Sequence, residues 1–190
     1  THISYSQSKN ADAVNAFNEA INFFSDKDFE KAVIYYSKAI ELDPTYTNAY
    51  YNRGNTKLNL KDYNGAIADY NKVVTLDSKY AKAYMYKGFA EMKLDQNKLA
   101  LKSYNQAIEL DKTLFSAYLN RGVIQQKFEN YELAIEDYES ALKLKTDYTA
   151  LYNKGLCEYK LEKYYDAITS LSEALQNNLS KPEIFENRAK

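Results

Sequence analysis

The sequence predicts an all-α fold in which antiparallel helix pairs stack as near-identical repeats. Three observations point there. Gly54, Gly88, Gly122 and Gly155 recur at intervals of 34, 34 and 33 residues. Ala32, Ala66, Ala100, Ala134 and Ala167 keep the same period, as do Tyr36, Tyr70, Tyr104 and Tyr138 with Leu171 in the fifth place. Within each period, apolar residues fall at helical spacing in two stretches, as in 49–60 and 63–76. A lone helix pair cannot bury both its faces, so units of this size stack on their neighbours to complete a core.

The elements follow in order. Residues 1–12 read as a polar leader containing the single histidine, His2, in a solvated role. Repeats then run 13–46, 47–80, 81–114, 115–147 and 148–181, and a partial sixth, 182–190, opens at Pro182, whose ring suits a first helical turn. Eleven helices are therefore expected. Small residues at the Gly and Ala places let paired helices approach closely, while Tyr50, Tyr63 and Tyr70 fill the space beside that contact. Short polar turns such as Lys61-Asp62 and Glu129-Asn130 separate the two helices of a pair, and Asp62 or Asn130 can cap the second helix. The fourth repeat is one residue short, so its exit turn near Lys145-Thr146 should be tighter.

Composition narrows the function classes. With 25 basic and 26 acidic residues there is no single-sign field to favour nucleic acid, and no stretch approaches the ~20 apolar residues of a membrane span. Five glycines and two prolines are too few for an all-β fold with many tight turns. Cys157 is alone, which rules out an intrachain disulfide and leaves the compartment unread. Neither a Gly-rich phosphate loop nor a metal-spaced Cys/His cluster occurs, so no catalytic residue, metal or cofactor is expected.

Counting the glycine as slot 8 of the repeat, slot 7 carries Arg53, Lys87, Arg121 and Lys154. Cations on a half-buried face need partners. The sequence offers one acid to each by alternating routes: Asp69 and Asp137 at slot 23 for the arginines, Glu91 and Glu158 four residues downstream for the lysines.

The pattern around Tyr50, Arg53-Gly54, Lys57, Ala66, Tyr70 and Ser78 resembles the tetratricopeptide (TPR) family, whose 34-residue signature places small residues at the same slots. The chain departs from it at slot 7, which is charged instead of leucine, and at slot 11, where only Phe23 keeps an aromatic. The resemblance implies a right-handed superhelical solenoid in which the first helix of each pair faces a concave groove and slots 2, 5, 6, 9, 12 and 13 point inward. Slot 6 then presents Asn18, Asn52, Tyr86, Asn120, Asn153 and Asn187. An amide offers a donor and an acceptor together and so matches one peptide unit. Tyr51, Phe89, Met92 and Tyr152 join an apolar floor, and Lys82, Lys93, Lys127 and Lys160 make the later groove basic. The implied function is non-catalytic capture of an extended protein segment, with no nucleic acid and no membrane insertion. A structural or self-associating scaffold, or the recruitment arm of a larger protein, is the alternative. The residues that TPR clamps use for a chaperone carboxylate fall on Phe17, Ile21, Asn52, Lys82 and Tyr86, of which only Asn52 and Lys82 match.

Overall fold

A computed structural model describes residues 2–179, with side chains for residues 11–177. Ten helices and no strand occur among the described residues: α1 (His2–Ser25), α2 (Phe29–Leu42), α3 (Thr47–Asn59), α4 (Tyr63–Leu76), α5 (Ala81–Lys93), α6 (Asn97–Leu110), α7 (Phe115–Lys127), α8 (Tyr131–Leu144), α9 (Tyr148–Lys160) and α10 (Tyr164–Leu179). The eleventh expected helix, from Pro182, lies outside the described residues. The polar stretch at the start belongs to α1, which begins at His2.

The chain divides into two compact units, Thr1–Leu110 and Asp111–Lys190. In the first, α1 pairs with α2, α3 with α4 and α5 with α6, and the pairs stack through α2 on α3 and α4 on α5. In the second, α7 pairs with α8 and α9 with α10, and α8 stacks on α9.

Small residues set the closeness of each pair. Ala32, Ala66, Ala100 and Ala134 are fully buried and Ala167 nearly so. The glycine slot faces a ring. A Cβ on Gly54 would lie 2.9 Å from Tyr70 Cε1, and one on Gly122 would lie 2.8 Å from Tyr138 Cε1. Leu171 replaces the tyrosine in the last pair, and its Cγ would stand 2.8 Å from a Cβ at Gly155.

Each turn inside a pair reverses through one residue in the left-handed region: Lys27, Lys61, Asp95, Glu129 and Glu162, with φ between 57° and 61°. The surrounding bonds repeat as well. The Lys61 N–H donates to Leu58 O at 3.0 Å and the Asp62 N–H to Lys57 O at 2.9 Å, and the other four turns match this pattern. These paired bonds satisfy the last carbonyls of the first helix. Asp62 then caps α4 by accepting from the Gly65 N–H at 2.9 Å. Asn130 does not cap α8, contrary to expectation, because its amide donates to Gln125 Oε1 at 3.0 Å.

Turns between pairs use an aspartate. Asp43 and Asp77 accept from the backbone N–H two residues on, each at 2.9 Å, and the next helix starts with no side-chain cap. In the shortened fourth repeat Asp147 takes both duties. It accepts from the Thr149 and Ala150 N–H groups at 2.9 and 3.2 Å and becomes the N-cap of α9.

Left-handed geometry costs an L-residue ~1–2 kcal/mol, which glycine escapes while losing more chain entropy on folding. Glu129→Gly should therefore raise the urea midpoint of the chain, by ~0.5–1 kcal/mol in unfolding free energy. An unchanged or lower midpoint would contradict the turn geometry.

Candidate functional site

The site is built from the first helix of each pair, because its slots recur on every repeat. In the first unit Asn18 on α1 is exposed and Asn52 on α3 is half-buried. In the second unit Asn120 on α7 and Asn153 on α9 are both half-buried. No side-chain hydrogen bond within the described residues occupies the amides of Asn18, Asn52 or Asn120. The Asn153 amide is engaged, lying beside the Tyr138 hydroxyl and favouring its ionised form slightly against the larger effect of burial. Asn187 lies outside the described residues.

Tyr86, which interrupts the asparagine row, packs against Tyr70 with ring centroids 6.2 Å apart and planes 20° from parallel. Tyr51 is also drawn into this layer, 4.9 Å from Tyr80 and 6.0 Å from Tyr86. Burial pushes the Tyr51 hydroxyl up to about 12. Two members of this layer escaped the sequence reading. The Tyr70 hydroxyl donates to Asn55 Oδ1 at 2.7 Å, and the Tyr138 hydroxyl donates to Gln126 Oε1 at 2.8 Å. The recurring tyrosine was the available signal, since a buried phenol needs a partner on the facing helix.

Tyr152 and Tyr159 on α9 are exposed, at 40% and 58%, so they remain open to a ligand. Phe89 and Met92 on α5 are half-buried. Lys82, Lys93, Lys127 and Lys160 are all exposed, and Lys93 Nζ lies 5.1 Å from the centre of the Phe89 ring. Between α1 and α3 lies a concavity of about 290 Å³ lined by Ile21, Phe24, Tyr36, Asn52 and Asn55. No group of three or more metal-ligating side chains exists among the described residues, and none of their helices is long and apolar enough to cross a membrane.

The slot-7 cations lie against acids. Arg53 Nη2 is 2.6 Å from Asp69 Oδ1 and Arg121 Nη2 is 2.5 Å from Asp137 Oδ1, both acids being almost wholly buried. Lys154 reaches Glu158 at 3.1 Å and also Glu139 at 3.4 Å. Lys87 stands 3.9 Å from Glu91, a long contact. Three further partners had no sequence signal beyond residue type. Lys57 joins Asp69 at 2.8 Å, Ser37 accepts from Arg53 Nη1 at 2.9 Å, and Ser103 donates to Glu91 Oε2 at 2.6 Å. Ser103 thus supplies the bond that an aspartate at its slot could not.

The tetratricopeptide repeat model matches residues 47–80 and 115–148, and a second TPR repeat model matches 22–61 and 88–127. The two together span well over half of the sequence, and the chain belongs to the tetratricopeptide repeat family. Among solved structures it is similar to MamA, with a TM-score of 0.82 and 25% identity over 86% of this chain and 96% of that one. It is also similar in fold to YrrB, described as a TPR protein with an unusual peptide-binding site, with a TM-score of 0.77 and 23% identity over 100% of this chain and 97% of that one. The first TPR of Spaghetti (RPAP3), bound to the HSP90 peptide SRMEEVD, has a TM-score of 0.61 and 27% identity over 63% of this chain and 94% of that one. No curated protein matches the chain in sequence.

Removing one partner of a buried pair costs ~3–5 kcal/mol because it strands a charge. Arg121→Met should show that cost, since Asp137 has hydrogen bonds from Arg121 alone. Arg53→Met should cost less, because Lys57 still holds Asp69. Equal losses in chemical denaturation would contradict the assignment.

Glu91 tests the opposite balance. Burial raises its carboxyl pKa more than Ser103 and Lys87 lower it. An acid whose folded pKa is raised contributes stability below its unfolded pKa and loses it as pH rises through the folded one. Glu91→Gln should accordingly melt above wild type at neutral pH. The gap should close as the pH falls through the raised pKa towards the ordinary carboxyl value of ~4.3. A gap independent of pH would show that the carboxyl's charge plays no part.

Proposed function

We propose that this chain captures an extended segment of a partner protein along the inward slots of its first helices, gripping it mainly through the peptide backbone. The observation that carries this reading is the asparagine at one slot of successive first helices, Asn18 and Asn52 in the first unit and Asn120 in the second, with amides left unoccupied by the fold. Such an amide pairs with one peptide unit whatever the side chain, so selectivity for sequence is modest. Tyr152, Tyr159, Phe89 and Met92 offer apolar contacts beside the row. The exposed lysines Lys82, Lys93, Lys127 and Lys160 add positive charge at inward slots, which biases the ligand towards acidic sequence. Peptide binding by the similar folds of YrrB and the first Spaghetti repeat supports the class of ligand. A chaperone carboxylate clamp is not favoured. Phe17 stands where that clamp needs a lysine, and it packs against Tyr36 and Tyr46 at 5.6 and 4.9 Å.

Each net hydrogen bond contributes ~0.5–1.5 kcal/mol, so single Asn→Ala changes should weaken capture only slightly. The triple change Asn52→Ala, Asn120→Ala and Asn153→Ala should nearly abolish it in a pull-down or peptide-array titration, with the thermal midpoint lowered only by loss of the Asn153 contact to Tyr138. If wild type and triple variant capture the same segments equally, the scaffold reading replaces this one.

A further inference from the structure

The concavity between α1 and α3 is walled in part by a hydroxyl that no side chain among the described residues engages. Tyr36, one of its walls, is 2% exposed. Two of its equivalents spend their hydroxyls on the facing first helix: Tyr70 on Asn55, and Tyr138 on Gln126. In the first repeat the corresponding places are Ile21 and Phe24, which carry no hydrogen-bonding atom. The Tyr36 hydroxyl accordingly has no partner among the described residues. Its pKa is pushed up to about 12 by burial, with no hydrogen bond contributing. The hydroxyl is not among the fully enclosed polar atoms, so it is left to water or to a ligand that enters the pocket.

The pocket's other walls narrow what that something is. Ile21 and Phe24 are apolar, Asn52 has an unoccupied amide, and Asn55 has its oxygen committed to Tyr70. None of the five lining residues is charged, so a carboxylate or ammonium would be stranded there. A volume of about 290 Å³ is small beside pockets that hold drug-sized ligands, which start at ~300 Å³ and reach ~1,000 Å³, and it suits one large side chain.

We propose that this pocket receives a tyrosine side chain of the bound segment, its ring between Ile21 and Phe24 and its hydroxyl paired with Tyr36 and the Asn52 amide. A phenol both donates and accepts, so it satisfies Tyr36 and Asn52 together. Phenylalanine leaves the Tyr36 hydroxyl unsatisfied, the indole N–H of tryptophan cannot accept the Tyr36 proton, and a methionine sulfur accepts only weakly. The inference rests on the groove reading and adds an anchor to it: backbone capture along the row, with one side chain fixing the register.

The test uses two small probes that cannot span the asparagine row, N-acetyl-tyrosinamide and N-acetyl-phenylalaninamide. Each is titrated while the side-chain amide resonances of Asn52 and Asn55 are followed. The tyrosine probe should bind wild type roughly 2- to 13-fold tighter than the phenylalanine probe, the range one net hydrogen bond gives. Tyr36→Phe should lower the ratio to the share that the Asn52 amide supplies, while leaving phenylalaninamide binding unchanged. Ile21→Asn should also lower it, by placing at the partly exposed Ile21 slot the residue that occupies Tyr70 in the next repeat. Equal affinity of the probes for wild type, no response at Asn52, or a preference undiminished by both substitutions would overturn the proposal. Thermal melts of both variants separate loss of the pocket from loss of the fold. If tyrosinamide binds but the triple asparagine variant captures segments normally, the groove reading falls and the pocket stands. The reverse outcome sinks the pocket alone.

Discussion

Every complete pair from α3 to α8 depends on one contact, a tyrosine ring lying where a facing glycine has no Cβ. The ring fixes how closely the helices approach, and the buried alanine four residues before it removes the remaining bulk. Because the rings of Tyr70, Tyr104 and Tyr138 are wholly buried, their hydroxyls end against the first helix and need acceptors there. That requirement draws Asn55 and Gln126 into fixed positions. The residue before each ring, Asp69, Ser103 or Asp137, meets the slot-7 or slot-11 charge of the same first helix. One apolar contact thus places a polar layer immediately beside it.

The sequence made the periodic part of this legible and hid the part that depends on partners. Period, pairing and small-residue slots are properties of residue type at fixed spacing, so they can be read from one chain. The left-handed turns could not, because the usual signal is glycine and here Lys61, Asp95 and Glu129 take that conformation under the compulsion of two backbone bonds. Alternation of acids around slot 7 was readable. The role of Ser103 as donor to Glu91, and of Lys57 as second cation on Asp69, was not, since each depends on side-chain reach across helices. Asn130 shows the same limit in reverse: a good capping residue by type, it is diverted by a neighbouring glutamine oxygen.

The candidate site follows a similar division. Asparagines at slot 6 were visible as a row, but whether an amide is available is decided by its neighbours. Asn52 is left open, whereas Asn153 is partly claimed by Tyr138. Tyr51 and Tyr86, read from sequence as ligand contacts, are shared with the tyrosine layer that supports the fold. In the first repeat, replacement of the polar partners by Ile21 and Phe24 releases a hydroxyl that Tyr70 and Tyr138 spend on Asn55 and Gln126 in theirs. Departures from the repeat, rather than the repeat itself, are what give one groove a chemistry different from another's.

An extended ligand lying on the first helices contacts the same slot on successive pairs. Intermolecular nuclear Overhauser effects measure this most directly, using a segment selected from a random peptide display library and bound to isotope-labelled chain. Contacts are expected from the ligand backbone to the side-chain amides of both Asn18 and Asn52. Contacts confined instead to exposed apolar residues of the second helices, Ile34 on α2 or Leu133 on α8, would contradict that placement.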